Sequence, residues 1–208
     1  MKKIIRKISV LRGEIRHQRY RKTIEDLVSR GLKLGKSVNI GPTAWIDYDY
    51  CYLISIGDNS SISKGVRLIA HDATTFKFTG EYTRIGKIDI KENCFIGENA
   101  IILPGVTIGP NVLVAAGSVV NKDIAPNSCV AGVPARFYAK FDEFISHHKE
   151  NIPKAKVFDF CQMQRGLTDE LKNRIMEAVQ EGDAYVKGYS GRFPWAWNED
   201  AGQAVPAK

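Results

Sequence analysis

Aliphatic residues return at every sixth position between residues 90 and 125, with polar and small residues between them. Cut into sixes the stretch reads IKENCF, IGENAI, ILPGVT, IGPNVL, VAAGSV, VNKDIA, and the blocks open on Ile90, Ile96, Ile102, Ile108, Val114 and Val120. Two places before each opener stands a compact residue: Ile88, Cys94, Ala100, Val106, Val112 and Ser118. This period is neither the 3.6 of a helix nor the alternation of an ordinary strand. Self-similarity at so short a period predicts a solenoid, with each hexad a short strand followed by a corner bearing Gly, Asn or Pro. One hexad alone cannot bury its aliphatic side chain; stacked copies bury one another's. The core is therefore expected to be an all-β solenoid.

The same rhythm starts earlier, at Leu34, Ile40 and Ile46, with Val38 and Ala44 in the compact slots. It slips through Tyr48, Asp49, Tyr50, Cys51 and Tyr52, then resumes at Ile56, Ile62 and Leu68. From His71 to Arg84 (HDATTFKFTGEYTR) it breaks, returning at Ile85-Gly86 and Ile88. Solenoids accept insertions at corners, and such insertions often line a binding face. Both flanks change period. Residues 4–32 read as helix, with Ile4, Ile8, Leu11 and Ile15 on one face and Ile24, Leu27 and Val28 on another. Phe137–Glu150 and Thr168–Glu181 also read as helices, the second opening on the N-cap signal Thr168-Asp169-Glu170. Tyr189–Lys208 is turn-rich. Three segments follow: a basic helical extension over 1–33, the solenoid over 34–136 with its excursion at 71–84, and a C-terminal extension over 137–208.

Charge adds one feature to this picture. The 208-residue chain carries a net charge of +7, and residues 1–33 hold eleven Lys/Arg against three acidic residues, a surplus larger than the whole chain's. That segment fits either a helix covering the solenoid's first coil or one resting on an anionic membrane surface. No nucleic-acid recognition motif accompanies the charge, so no nucleic-acid partner is expected. The four cysteines form no CxxC pair, which fits reduced thiols in the cytoplasm. Among candidate chemical groups, His71 is the one histidine in the repeats. Asp47 and Asp49, at the slip, are candidates for contacting an acceptor or are plain solvated turn residues.

The hexads together with Ala131-Gly132-Val133-Pro134-Ala135-Arg136 resemble the hexapeptide-repeat acyltransferases, over roughly residues 34–136. Within that family the chain is most similar to the galactoside and maltose acetyltransferase type and to sugar and polysaccharide O-acetyltransferases. The resemblance implies a left-handed parallel β-helix, three hexads to a coil, in a homotrimer. It implies acetyl-CoA as donor, lying between neighbouring solenoids. The positions matching the family's donor groove are Phe95, Gly97, Ala115, Asn121, Lys122 and Arg136. It implies His71 as general base toward a sugar hydroxyl, with Asp72 or a backbone carbonyl orienting it. Two positions depart from the galactoside pattern: Phe95 stands where Trp is frequent, and Cys51 where the acceptor aspartate falls. Galactoside specificity is therefore not implied. The same repeats also build trimeric zinc enzymes with three histidine ligands, which one histidine cannot supply, so no catalytic metal is expected. The expectation is an acetyl-CoA-dependent O-acetyltransferase of surface polysaccharide or lipopolysaccharide assembly, in the cytoplasm or at the inner membrane face. The alternatives are N-acetylation of an amino sugar, a nucleotide-linked amino sugar or an antibiotic, and a non-enzymatic scaffold.

Overall fold

The computed structural model describes residues 22–159 and 167–188. Residues 4–21 of the expected N-terminal helix, Cys161 and the turn-rich segment 189–208 lie outside the described residues. The chain divides into a larger unit containing the repeats and a smaller one over Asp142–Phe193.

In the larger unit the chain visits three parallel sheets in cyclic order. The first face holds Lys33–Leu34, Ile54–Ile56, Ile88–Ile90 and Thr107–Ile108; the third holds Trp45–Ile46, Arg67–Leu68, Ile101–Ile102 and Val119–Val120. The second holds Asn39–Ile40, Ser61–Ile62, Phe95–Ile96, Val112–Val114, Ser128–Ala131 and, antiparallel at its edge, Arg136–Lys140. The register confirms three hexads to a coil. Ile96 pairs with Val114 and Ile102 with Val120, 18 residues on in each case. Across the slip the offset grows to 22, as in Leu34 with Ile56 and Ile46 with Leu68. Across the excursion it grows to 34, as in Leu68 with Ile102. Both irregularities are thus inserted at one corner without disturbing the faces they interrupt.

The opener row and the compact row are buried together in one cluster that includes Ile40, Ile62, Leu68, Ile96, Ile102, Val106, Ile108 and Val114. Burial of each such aliphatic contributes about 1.5–3 kcal/mol, and the contribution exists only because the next coil covers it. Corners have their own requirement. The backbone turns with φ of 54° to 57° at Asn59, Asn93, Asn99, Asn111 and Asn127, a left-handed conformation that asparagine tolerates better than other side chains. Two of them also bond each other: Asn59 Nδ2 donates to Asn93 Oδ1 at 2.7 Å.

Ile24, Leu27 and Leu32 belong to the same buried cluster, so the helix at 22–29 covers the open end of the first coil. Val28, expected on that apolar face, is exposed instead. At the other end the expected helix over Phe137–Glu150 begins only at Phe141. The preceding residues extend as a strand, with Phe137 opposite Val130 and Ala139 opposite Cys129. The second face would otherwise end on an unpaired edge, and pairing there outweighs the helical spacing of the phenylalanines.

The smaller unit contains the helices Phe141–Asn151 and Asp169–Gln180 and a parallel pair, Val157–Asp159 with Tyr185–Lys187. Thr168 Oγ1 accepts from Leu171 N at 3.2 Å, the N-cap its sequence announced. His148 is half-buried and its Nδ1 lies 3.0 Å from the Tyr185 hydroxyl. Among the described residues no helix is long and apolar enough to cross a membrane.

Candidate active site at the corner after the third face

The register that pairs Ile46 with Leu68 carries the chain on both coils round the same corner, from the third face to the first. Asp47 N donates to Leu68 O at 3.0 Å, which sets Asp47 beside the residues leading into His71. Its side chain turns inward, 1% exposed. One oxygen, Asp47 Oδ2, accepts from Ala70 N at 2.9 Å and meets His71 Nδ1 at 2.5 Å. A carboxylate can only accept, so Nδ1 carries a proton, and in the neutral imidazole the lone pair is then on Nε2. The His71 side chain is 32% exposed. Tyr50, half-buried, lies against the imidazole with ring centroids 5.2 Å apart, and Tyr52 lies 6.3 Å from Tyr50.

Asp72, the residue expected beside the histidine, is engaged elsewhere. Its Oδ1 accepts from the Thr74 hydroxyl at 2.6 Å and the Thr74 amide at 2.9 Å. The Thr74 hydroxyl first, then its amide, then the Arg84 charge hold this carboxyl below the usual range. It opens the short helix Thr74–Thr79 of the excursion. The excursion closes through the antiparallel pair His71–Asp72 with Arg84–Ile85, and Gly86 N donates back to Ala70 O at 2.9 Å. Of the two aspartates at the slip, Asp49 is the exposed one; the Asp47 carboxylate is spent inside the protein.

The donor-groove candidates fall on two different edges of the coil. Asn121 and Lys122 follow Val119–Val120 and so occupy the His71 corner, two coils further on. At about 4.8 Å per coil this is a rise of about 10 Å. Both line a pocket of about 260 Å³ with Arg136, Ser128, Val130 and Phe137. Arg136 Nη1 donates to Ala135 O at 3.0 Å. Phe95, by contrast, projects from the second face, 45% exposed. Gly97 and Ala115 lie at the corner between the second and third faces, where Gly97 N donates to Val114 O and Ala115 N to Val130 O. Gly97 has a structural demand of its own, because a Cβ there would lie 2.5 Å from Ala116 N and 2.7 Å from Val114 O.

Among the described residues no group of three or more His, Cys, Asp or Glu comes together as a metal site. Cys94 lines the interior, where burial pushes its thiol up to about 11, so it stays protonated and is no nucleophile at neutral pH.

The sequence model of the family described as "Bacterial transferase hexapeptide (six repeats)" matches residues 87–122. Protein CapG of Staphylococcus aureus is 39% identical over 124 residues, which cover 58% of this chain and 72% of CapG. The chain belongs to the hexapeptide-repeat transferases. Another relative in this family is the galactoside O-acetyltransferase of Escherichia coli (strain K12), 34% identical over 123 residues. That match takes in 55% of the chain and 59% of the relative, so the chain spans under two thirds of that protein's length. Among solved structures, a maltose O-acetyltransferase from Clostridium difficile 630 superposes with a TM-score of 0.48 at 29% identity, covering 58% of this chain and 75% of that one.

That Asp47 comes close to the segment leading into His71 was open to sequence reasoning. With the three-hexad coil that the resemblance implies, Ile46 and Leu68 are each the third opener of a coil and share a row, so Asp47 falls beside Ile69, two residues before His71. Arg84 had no such signal, because its position depends on how the excursion re-enters.

Proposed function

We propose that this chain is an acetyl-CoA-dependent O-acetyltransferase acting on a sugar hydroxyl of a surface polysaccharide or lipopolysaccharide precursor. The observation that carries the reading is the Asp47–His71 pair, which leaves Nε2 as an acceptor on a half-open corner. Bound acetyl-CoA would supply an acetyl thioester. His71 Nε2 takes the proton of the acceptor hydroxyl as the new C–O bond forms and the C–S bond breaks, and returns that proton to the departing sulfur. Asp47 is a positioning residue: it fixes the tautomer and pairs with the charge that His71 gains. Asn121, Lys122 and Arg136 suit the phosphates of the donor, since cations and amides bind charged oxygens strongly.

Two further features belong to the proposal. The helix winds left-handed, as in the family. The chain works as a homotrimer, because Lys122 and Ala115 occupy separate edges of one coil with the third face between them. A groove lined by both kinds of residue needs a second copy. The matching location is the cytoplasm, where the basic segment 1–33 can meet the anionic inner surface of a membrane. O-transfer is favoured over N-transfer by the buried carboxylate behind His71, because a hydroxyl attacks only as its proton is taken, whereas a neutral amine attacks first and gives up its proton afterwards.

The test is His71→Ala, assayed by thiol release from acetyl-CoA with a panel of sugar, nucleotide-sugar and amino-sugar acceptors. The kcat is expected to fall roughly 10²- to 10⁴-fold while the KM for acetyl-CoA holds, in a protein that keeps its fold. A folded variant with nearly full turnover overturns the reading.

A further inference from the structure

Arg84 lies on the His71 corner and takes no part in the mechanism above. The pairing of Asp72 with Arg84 and of His71 with Ile85 brings its backbone next to the base. Its side chain reaches along the corner to the following coil, where Nη2 donates to Pro104 O at 3.1 Å. Pro104 occupies, one coil on, the corner that carries His71. The guanidinium is thus anchored about one coil spacing, ~5 Å, from the level of the imidazole. That is roughly the width of a sugar ring.

A guanidinium has five N–H donors in a planar fork, and the Pro104 carbonyl accepts from only one nitrogen. Arg84 is exposed and forms no ion pair among the described residues. The nearby Asp72 carboxylate is turned to Thr74. A fixed fork with free donors fits a carboxylate bidentately, as an ammonium does not.

Building on the acetyl-transfer reading, we propose that Arg84 sets the acceptor's charge: the acceptor is an acidic sugar whose carboxylate rests on Arg84 while one of its hydroxyls meets His71 Nε2. The wall formed by Tyr50 and Tyr52 on the other side of His71 is suited to the apolar C–H face of the same ring. The excursion then has a purpose beyond bridging two coils, since it delivers this cation to the site.

The experiment uses the full chain with saturating acetyl-CoA and matched acceptors, the methyl glycosides of glucose and glucuronate and of galactose and galacturonate. Wild type is expected to prefer the acid of each pair in kcat/KM. Arg84→Gln should lose roughly 10- to 100-fold on the acids and little on the neutral sugars, and Arg84→Lys should recover part of the loss. If Arg84 only anchors the excursion to Pro104, both members of each pair fall together and the proposal is overturned. If it holds a donor phosphate, the KM for acetyl-CoA rises with every acceptor, which also overturns it. Thiol release without any acid–neutral difference in wild type refutes the acidic acceptor alone. No thiol release with any acceptor refutes the acetyl-transfer reading and this inference with it.

Discussion

Replacing Asp47 by Asn tests the positioned base with almost no change of shape. Asp47 Oδ2 serves two donors, Ala70 N at 2.9 Å and His71 Nδ1 at 2.5 Å. A carboxamide could face them with its oxygen or its NH2. With NH2 inward, the Ala70 N–H would be left buried without an acceptor, at about 1–3 kcal/mol, so the oxygen-inward rotamer wins and the Nδ1–H tautomer survives. What is lost is the charge. A hydrogen bond to a charged partner contributes about 1.5–3 kcal/mol against about 0.5–1.5 for a neutral one. The deficit of about 1–2 kcal/mol corresponds to a kcat lowered roughly 5- to 30-fold. Steady-state kinetics should find that loss in kcat with the acetyl-CoA KM unchanged, and Asp47→Asn should add nothing to His71→Ala. Asp47→Ala should lose more activity and should also unfold earlier, because Ala70 N–H then has no acceptor at all. A fully active Asp47→Asn, or an Asp47→Ala that is merely less stable, refutes the positioning role.

Two other predictions follow from the coil itself. Gly97→Ala forces a methyl to within 2.5 Å of the Ala116 amide, so it should cost about 1–3 kcal/mol of stability, read as a lower Tm; an unchanged Tm refutes the close-packing account of this glycine. If the donor groove is shared between copies, His71→Ala chains mixed and refolded with Ala115→Trp chains should regain ~25% of wild-type activity, since a quarter of randomly assembled grooves draw both edges intact. No recovery on mixing would mean that each coil works alone.

What the sequence made legible was whatever repeats. The opener and compact rows and the places of both irregularities follow from aliphatic spacing, because stacking repeats the same demand on every coil; three hexads to a coil came from the family resemblance and is borne out by the register. Non-repeating parts were less open. Phe137, Phe141 and Phe144 have helical spacing, yet Phe137 belongs to a strand, since an unpaired sheet edge is a property of the assembled coil and not of any local segment. Asp72 is next to His71 in sequence and was the natural partner to expect; Asp47 is 24 residues away and nearer in space. The difference comes from the solenoid. Neighbours along a corner are one coil apart, while chain neighbours at an excursion point away from each other.

The same geometry makes chain distance into height along the site. The corner residues of successive coils, Asp47, then His71, then Pro104 beneath Arg84, then Lys122, form a ladder whose rungs are set by backbone pairing. The proposed base and the proposed phosphate-binding residues are thereby separated by a whole number of coils, and the slip and the excursion both enter at a corner without altering that rise. The excursion sits at the corner that carries His71, so a loop added there reaches that side chain directly. Acceptor preference can thus change through residues such as Arg84 and the Tyr50–Tyr52 wall while the distance from Lys122 to His71 stays fixed. On the proposed reading, donor binding belongs to the repeat and acceptor choice to its interruptions.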